Sequence, residues 1–206
     1  MVFFAYNGGT TAPFLVSSGL AQFHSVKFSN ILSTLDELDS SSFVYYGRVG
    51  ALSISTVNSN SRIQVQAKTV NGNYGKTFPG LNPVEGNTAN IDRDMMLLDL
   101  IKNATYRTFV GVFNTSSSVP VDVTFMIFNA DSVRVGSSIY KYLPPHGYIS
   151  FNPFTEAGAP SGDYDNCWLL IHAHTPPSSV EGVMFFGSIA NNYTSDTYAL
   201  IARMRY

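Results

Sequence analysis

The residues best equipped for chemistry stand in two short stretches, His172-Ala173-His174 and Gly162-Asp163-Tyr164-Asp165-Asn166. Two imidazoles at i and i+2 of a strand share one face, and two nitrogen donors on one face can chelate a metal ion. A third ligand is missing at any fixed spacing: Glu181 is the nearest carboxylate, and Pro176-Pro177 bends the chain before it. His172 and His174 are therefore weak metal candidates with a structural role expected. Asp163 and Asp165, with Asn166, form an oxygen-rich loop that could hold Ca²⁺. The EF-hand spacing and its distal Glu are absent, so an Asx turn leading into a strand is the better reading.

The remaining reactive groups point away from catalysis. Cys167 is the sole cysteine and opens the apolar run "CWLL", which predicts a buried, inert thiol. Asp36, Glu37 and Asp39 cluster on a short helical pattern, where carboxylates face solvent or cap the helix. No nucleophile elbow, Ser-His-Asp order or glycine-rich phosphate loop occurs, so neither enzymatic activity nor a cofactor is expected. Tyr45 and Tyr46, and Tyr140, Tyr142 and Tyr148 around Pro144-Pro145, could stack on sugars. Alternation assigns about half of such aromatics to the core. Asn103, Asn114 and Asn192 match the glycosylation pattern, a match that abundant Asn, Ser and Thr produce by chance.

Composition narrows the class further. The chain of 206 residues carries 12 basic and 14 acidic residues, scattered and nearly cancelling, which removes the footprint of a nucleic-acid partner. No stretch approaches the roughly 18 apolar residues of a membrane span, so no membrane insertion is expected. Charged residues are only 13%, about half the usual share, and Ser, Thr, Asn, Gly and Tyr occupy surface positions in their place. That pattern accompanies extracellular or cell-surface β proteins.

These residues must be positioned by strands. In "RIQVQAKTV" Ile63, Val65, Ala67 and Thr69 alternate with Gln64, Gln66 and Lys68, and in "VPVDVTFMIF" Val121, Val123, Phe125 and Ile127 share one face. Further strands are expected at 43–46, 49–55, 106–113, 137–143, 147–151, 166–172, 183–190 and 197–204, separated by turns rich in Asn, Gly, Ser and Pro. That spacing predicts an all-β fold of antiparallel, Ig-like sandwiches. Helix is expected only at 30–39 and, as one of two readings, at 92–100; the other reading of 92–100 is a linker lying on a sheet.

The chain also resembles itself. "FFAYNGG" (3–9) aligns with "FMIFNAD" (125–131), "GALSIS" (50–55) with "CWLLIH" (167–172), and "VQAKTVNGNYGKTFPGL" (65–81) with "FFGSIANNYTSDTYALI" (185–201). The order is kept throughout. Two similar units are expected, 1–81 and 103–206, joined by a linker at 82–102. The first lacks the hairpin (106–123) that opens the second.

The motifs Arg107-Thr108, Phe113-Asn114, Leu143 to Gly147 and Asn191 to Asp196 resemble a tandem β-sandwich repeat of bacterial secreted and cell-surface proteins. The resemblance covers nearly the whole chain, although Phe109 stands where that repeat often has Asn. It implies a non-catalytic structural or adhesive module and carries no site residues. No leader pattern precedes Val2, so the chain is expected to be a processed or excised piece, or else to begin with a strand lacking its neighbour. An unpaired first strand (Val2, Phe3, Phe4) and a strand-like tail (Tyr198, Leu200, Ile201) would make a heterologous contact between copies, and such contacts build filaments. The expected partner is therefore the chain itself, in a homopolymer assembled by strand complementation. The alternative is a carbohydrate-binding or adhesin module that meets surface glycans.

Overall fold

A computed structural model describes residues 2–5, 25–38, 50–55, 64–71, 74–80, 88–89, 94–174 and 182–204. The chain divides into compact units at 1–63 and 64–206. The strand expected at 43–46, with Tyr45 and Tyr46, lies outside the described residues, as does Glu181.

In the first unit, β1 (Val2–Ala5) pairs antiparallel with β2 (Gly50–Ser53), from Val2 opposite Ser53 to Ala5 opposite Gly50. The first strand therefore has a neighbour, contrary to the expectation that it begins unpartnered. Between them lies α1 (Ile31–Leu38), the helix expected at 30–39. Asn30 starts it: its Oδ1 accepts from Ser33 N at 3.2 Å, satisfying one of the amides a helix start leaves open. Leu35 is its fully buried anchor.

The second unit opens with a hairpin, β3 (Gln66–Asn71) and β4 (Tyr74–Pro79), paired from Gln66 opposite Pro79 to Asn71 opposite Tyr74. There follow β5 (Thr88–Ala89), β6 (Met95–Lys102), β7 (Tyr106–Asn114), β8 (Val121–Phe128), β9 (Arg134–Leu143), β10 (Tyr148–Phe151), the turn of helix α2 (Pro153–Glu156), β11 (Tyr164–Ala173), β12 (Val183–Asn191), β13 (Thr197–Ile201) and β14 (Arg203–Met204). One sheet runs β10-β7-β12-β13, with β5 against the start of β12; the other runs β14-β6-β11-β8-β9. All pairings are antiparallel. One apolar cluster joins Val110, Val112 and Phe185 of the first sheet to Leu97, Phe125, Ile127, Leu169 and Ile171 of the second, so the two form a β-sandwich. The shared face predicted for Val121, Val123, Phe125 and Ile127 is that core face, at most 1% exposed.

Residues 95–102 are neither helix nor linker: β6 is an inner strand, paired with β11 on one edge and β14 on the other. One extra residue breaks its alternation, and a second, in β11, restores the register. Between the pairs Leu97 with Leu169 and Leu100 with Cys167, β6 spends one residue more than β11; between Cys167 and Tyr164, β11 spends one more than β6. Asp99 (φ 63°) and Asn166 (φ 55°) take the left-handed conformation found in one type of bulge, and the two insertions offset each other. Met95, Leu97 and Leu100 are thereby all fully buried.

Asparagines close the corners. Asn103 Oδ1 accepts from Thr105 N and Tyr106 N, Asn129 Oδ1 from Asp131 N and Val133 N, Asn152 Oδ1 from Phe154 N and Thr155 N, and Asn191 Oδ1 from Tyr193 N and Thr194 N. Each supplies the acceptor that turning backbone amides need, without adding charge.

Segments that align in sequence form like elements, although the hairpin β3–β4 falls in the second compact unit together with its counterpart. β1 with β2 corresponds to β8 with β11, and the hairpin β3–β4 to the hairpin β12–β13.

Candidate functional site

Alternation along β11 sends Cys167, Leu169, Ile171 and Ala173 into the core, all fully buried, and leaves Trp168, Leu170, His172 and His174 on the outer face of the sheet. Register then fixes their neighbours. His172 stands opposite Thr124, and Thr124 opposite Tyr140; Asp122 stands opposite Tyr142, and Asp122 O accepts from His174 N at 2.8 Å. A polar band thus crosses four strands: Asp94 beside His172, Thr124 and Tyr140 in one row; His174, Asp122 and Tyr142 in the next. The same face is apolar further along, where Trp168 stacks on Phe128 at 4.3 Å between ring centroids.

Within the band, His172 Nδ1 lies 2.7 Å from Asp94 Oδ1. His174 Nε2 and Thr124 Oγ1 are hydrogen-bonded at 2.5 Å. The two imidazoles meet edge to face, with centroids 4.7 Å apart. Asp122, Val123, Tyr140, Lys141, Tyr142 and His174 line a shallow depression of about 350 Å³. Tyr140 and Tyr142 flank it at 73% and 62% exposure, so both rings reach solvent. The Lys141 ammonium is drawn back to Glu156 Oε2 at 3.1 Å and lies over the Phe151 ring.

The structure separates the sequence-derived sites. His172 and His174 share a face, as the i, i+2 spacing requires. Tyr142 is exposed, but Tyr148 is 7% exposed and faces no sugar. At Asp163 and Asp165 the chain is already entering a strand: β11 begins at Tyr164, Asp165 Oδ1 accepts from Asn103 Nδ2 at 2.9 Å, and Asn166 is the bulge residue. Among the described residues no three His, Cys, Asp or Glu side chains converge as a preformed metal centre. Cys167 is buried; burial first, then the Asp165 charge, pushes its thiol up to about 11.

The residues named for subunit contact are engaged within the chain. Val2, Phe3 and Phe4 pair with Ser53, Leu52 and Ala51; Tyr198, Leu200 and Ile201 pair with Ile189, Gly187 and Phe186. Tyr198 and Ile201 remain 46% and 45% exposed, while Leu200 packs against the core. Partial burial, then Tyr106 and Asp99, raise the Tyr198 phenol.

Sequence reasoning missed Asp94 and Asp122 as members of the band. Asp122 had a signal: it alternates with Val121 and Val123 and so had to face outward. Asp94 had none, standing 78 positions from the histidine it contacts. No protein-family model, curated protein or solved structure matches the chain.

Proposed function

We propose that the chain is a non-catalytic module of an extracellular or cell-surface protein, built from tandem Ig-like sandwich units, and that the outer face of β8 and β9 recognises a glycan. The tandem reading is supported by the matching elements of the aligned segments. The surface location is supported by the low charge content and by turns satisfied with amides instead of ions. One observation carries the recognition reading: Tyr140 and Tyr142 stand side by side, strongly exposed, above a depression that also offers Asp122 and His174. Flat aromatic faces take up the apolar face of a pyranose ring, and carboxylate, imidazole and phenol groups take up its hydroxyls. The test is a glycan array on the intact chain and on Y140A/Y142A. Saturable binding that the double variant loses, with an unchanged melting temperature, is expected. A chain that binds no glycan, or a double variant that binds as well, overturns the reading.

A second reading, a structural subunit that polymerises into a surface filament, is favoured by β13, a sheet-edge strand that exposes Tyr198 and Ile201. Strand donation by the tail would have to release β13 from β12 and β14 from β6. Light scattering on the intact chain and on I201E decides it: polymers that the charge abolishes support the filament, and a concentration-independent monomer ends it.

A further inference from the structure

The His172–His174 pair has a feature that sugar recognition does not call on. Asp94 holds His172 through Nδ1 at 2.7 Å. An ionised carboxylate only accepts, so the proton of that contact belongs to Nδ1 and the Nε2 lone pair points away from Asp94. A carboxylate behind an imidazole is the arrangement that fixes the tautomer and orientation of metal-bound histidines and raises their basicity. His174, exposed and two residues on, presents the second ring on the same face.

We infer that His172 and His174 together bind a single borderline transition-metal ion such as Zn²⁺, with Asp94 as the buttress of His172. A tetrahedral ion with metal–nitrogen bonds of about 2.0–2.1 Å holds two nitrogens roughly 3.3 Å apart, and ring nitrogens lie about 1.1 Å from their centroids. Centroids 4.7 Å apart span that separation once the exposed His174 ring rotates, at the cost of no more than its hydrogen bond to Thr124. His174 also lines the depression, so the remaining coordination positions are reached by water from that side. Two protein nitrogens make a chelate weaker than a structural zinc centre, consistent with a face on which no third ligand is fixed in place. The site shares His174 with the depression proposed for the glycan, but the metal titration is made without glycan, so its failure and the failure of the glycan reading are distinguishable.

The experiment is calorimetric titration of the full chain with ZnCl₂, alongside melting curves with and without the metal. One bound equivalent is expected, with a melting temperature that rises as Zn²⁺ is added. H174Q, which replaces an exposed ring, should fold normally and lose both the binding and the thermal shift. D94N should bind about 10–100-fold more weakly at unchanged stoichiometry, the usual effect of losing a buttressing carboxylate. D163N, which alters an exposed carboxylate outside the band, serves as the control and should bind like the wild type. Acidification should weaken binding, because imidazolium has no lone pair. Absence of saturable binding, or H174Q binding as tightly as the wild type, overturns the site; D94N binding as tightly as the wild type overturns the role of Asp94.

Discussion

Replacing Asn114 tests how the sandwich holds its corner. The residue ends β7 fully buried, and its Nδ2 donates to Val119 O at 2.9 Å, Pro144 O at 3.1 Å and, more weakly, Leu143 O at 3.3 Å. Its Oδ1 accepts from Ser116 N at 3.0 Å, and its backbone amide donates to Gly147 O at 2.9 Å. One amide therefore ties the β7–β8 corner to the β9–β10 corner. Asn114→Ala removes two donor hydrogens and one acceptor, and it leaves buried carbonyls and an amide without partners. At about 1 kcal/mol for each bond lost, and more where a group stays dry and unsatisfied, the cost is about 2–4 kcal/mol. For a unit of this size each kcal/mol moves the melting temperature by about 2–4 °C, so a drop of roughly 5–15 °C is expected. Asn114→Asp is the sharper probe: it nearly keeps the shape but turns an oxygen toward three carbonyl oxygens, and should cost more than alanine. Urea titration followed by fluorescence of Trp168, the single tryptophan, reports on this unit. An alanine variant within about 0.5 kcal/mol of wild type, or an aspartate variant more stable than alanine, would refute the reasoning.

Two further predictions follow from burial and backbone conformation. The Cys167 thiol should resist disulfide reagents at pH 8 in the native chain and react fully once unfolded, as read by absorbance. The fold holds its proton up to about 11 against an ordinary 9.0, so the stability contributed by this group is full below pH 9 and is lost as pH rises through 11, which urea titrations across that window would detect. Gly136→Ala should cost at least about 2 kcal/mol, because φ is +71° and the new Cβ would lie 2.4 Å from the backbone oxygen of Ala157. Gly158→Ala, at φ +62° in open space, should cost only about 1 kcal/mol, and calorimetry should preserve that order.

The elements legible in the sequence were those whose chemistry is local. β7, β8 and β12 obey alternation, and they and β10 end at turn residues, so their bounds follow within a residue or two. β6 defeated the same reasoning: "MMLLDL" loses its period because Asp99 bulges, and a bulge is decided by the partner strand. The outer-face band was half legible. The spacing of His172 and His174 put both rings on one side, and alternation put Asp122 and Tyr142 outward. Which strands lie side by side is a question of topology, and only topology brings Asp94 to His172 or Asp122 to His174. Tyr148 was misplaced for the same reason, since its burial depends on where the Pro144-Pro145 turn delivers it.

The motifs that carried the resemblance turn out to be structural. Arg107 Nη1 donates to Asn192 Oδ1 at 2.6 Å, and buried Thr108 exchanges hydrogen bonds with both the amide and the carbonyl of Ile101. Asn114 clamps the turn from Leu143 to Gly147, and Asn191 builds the β12–β13 turn. Thr108 and Asn114 supply partners to backbone groups that are buried or partly buried, while Arg107 and Asn191 act at the exposed β12–β13 corner. A protein with few ions has to satisfy those groups with side-chain amides and hydroxyls, which accounts for the Asn- and Ser-rich composition. The inner faces are fixed by packing and the corners by hydrogen bonding, so the outer sheet face is the surface least constrained by folding. Carboxylate, imidazole and phenol groups gathered there contribute nothing to core packing, and the proposed reading therefore expects substitutions at the exposed Tyr140 and Tyr142 to change binding while leaving stability nearly intact.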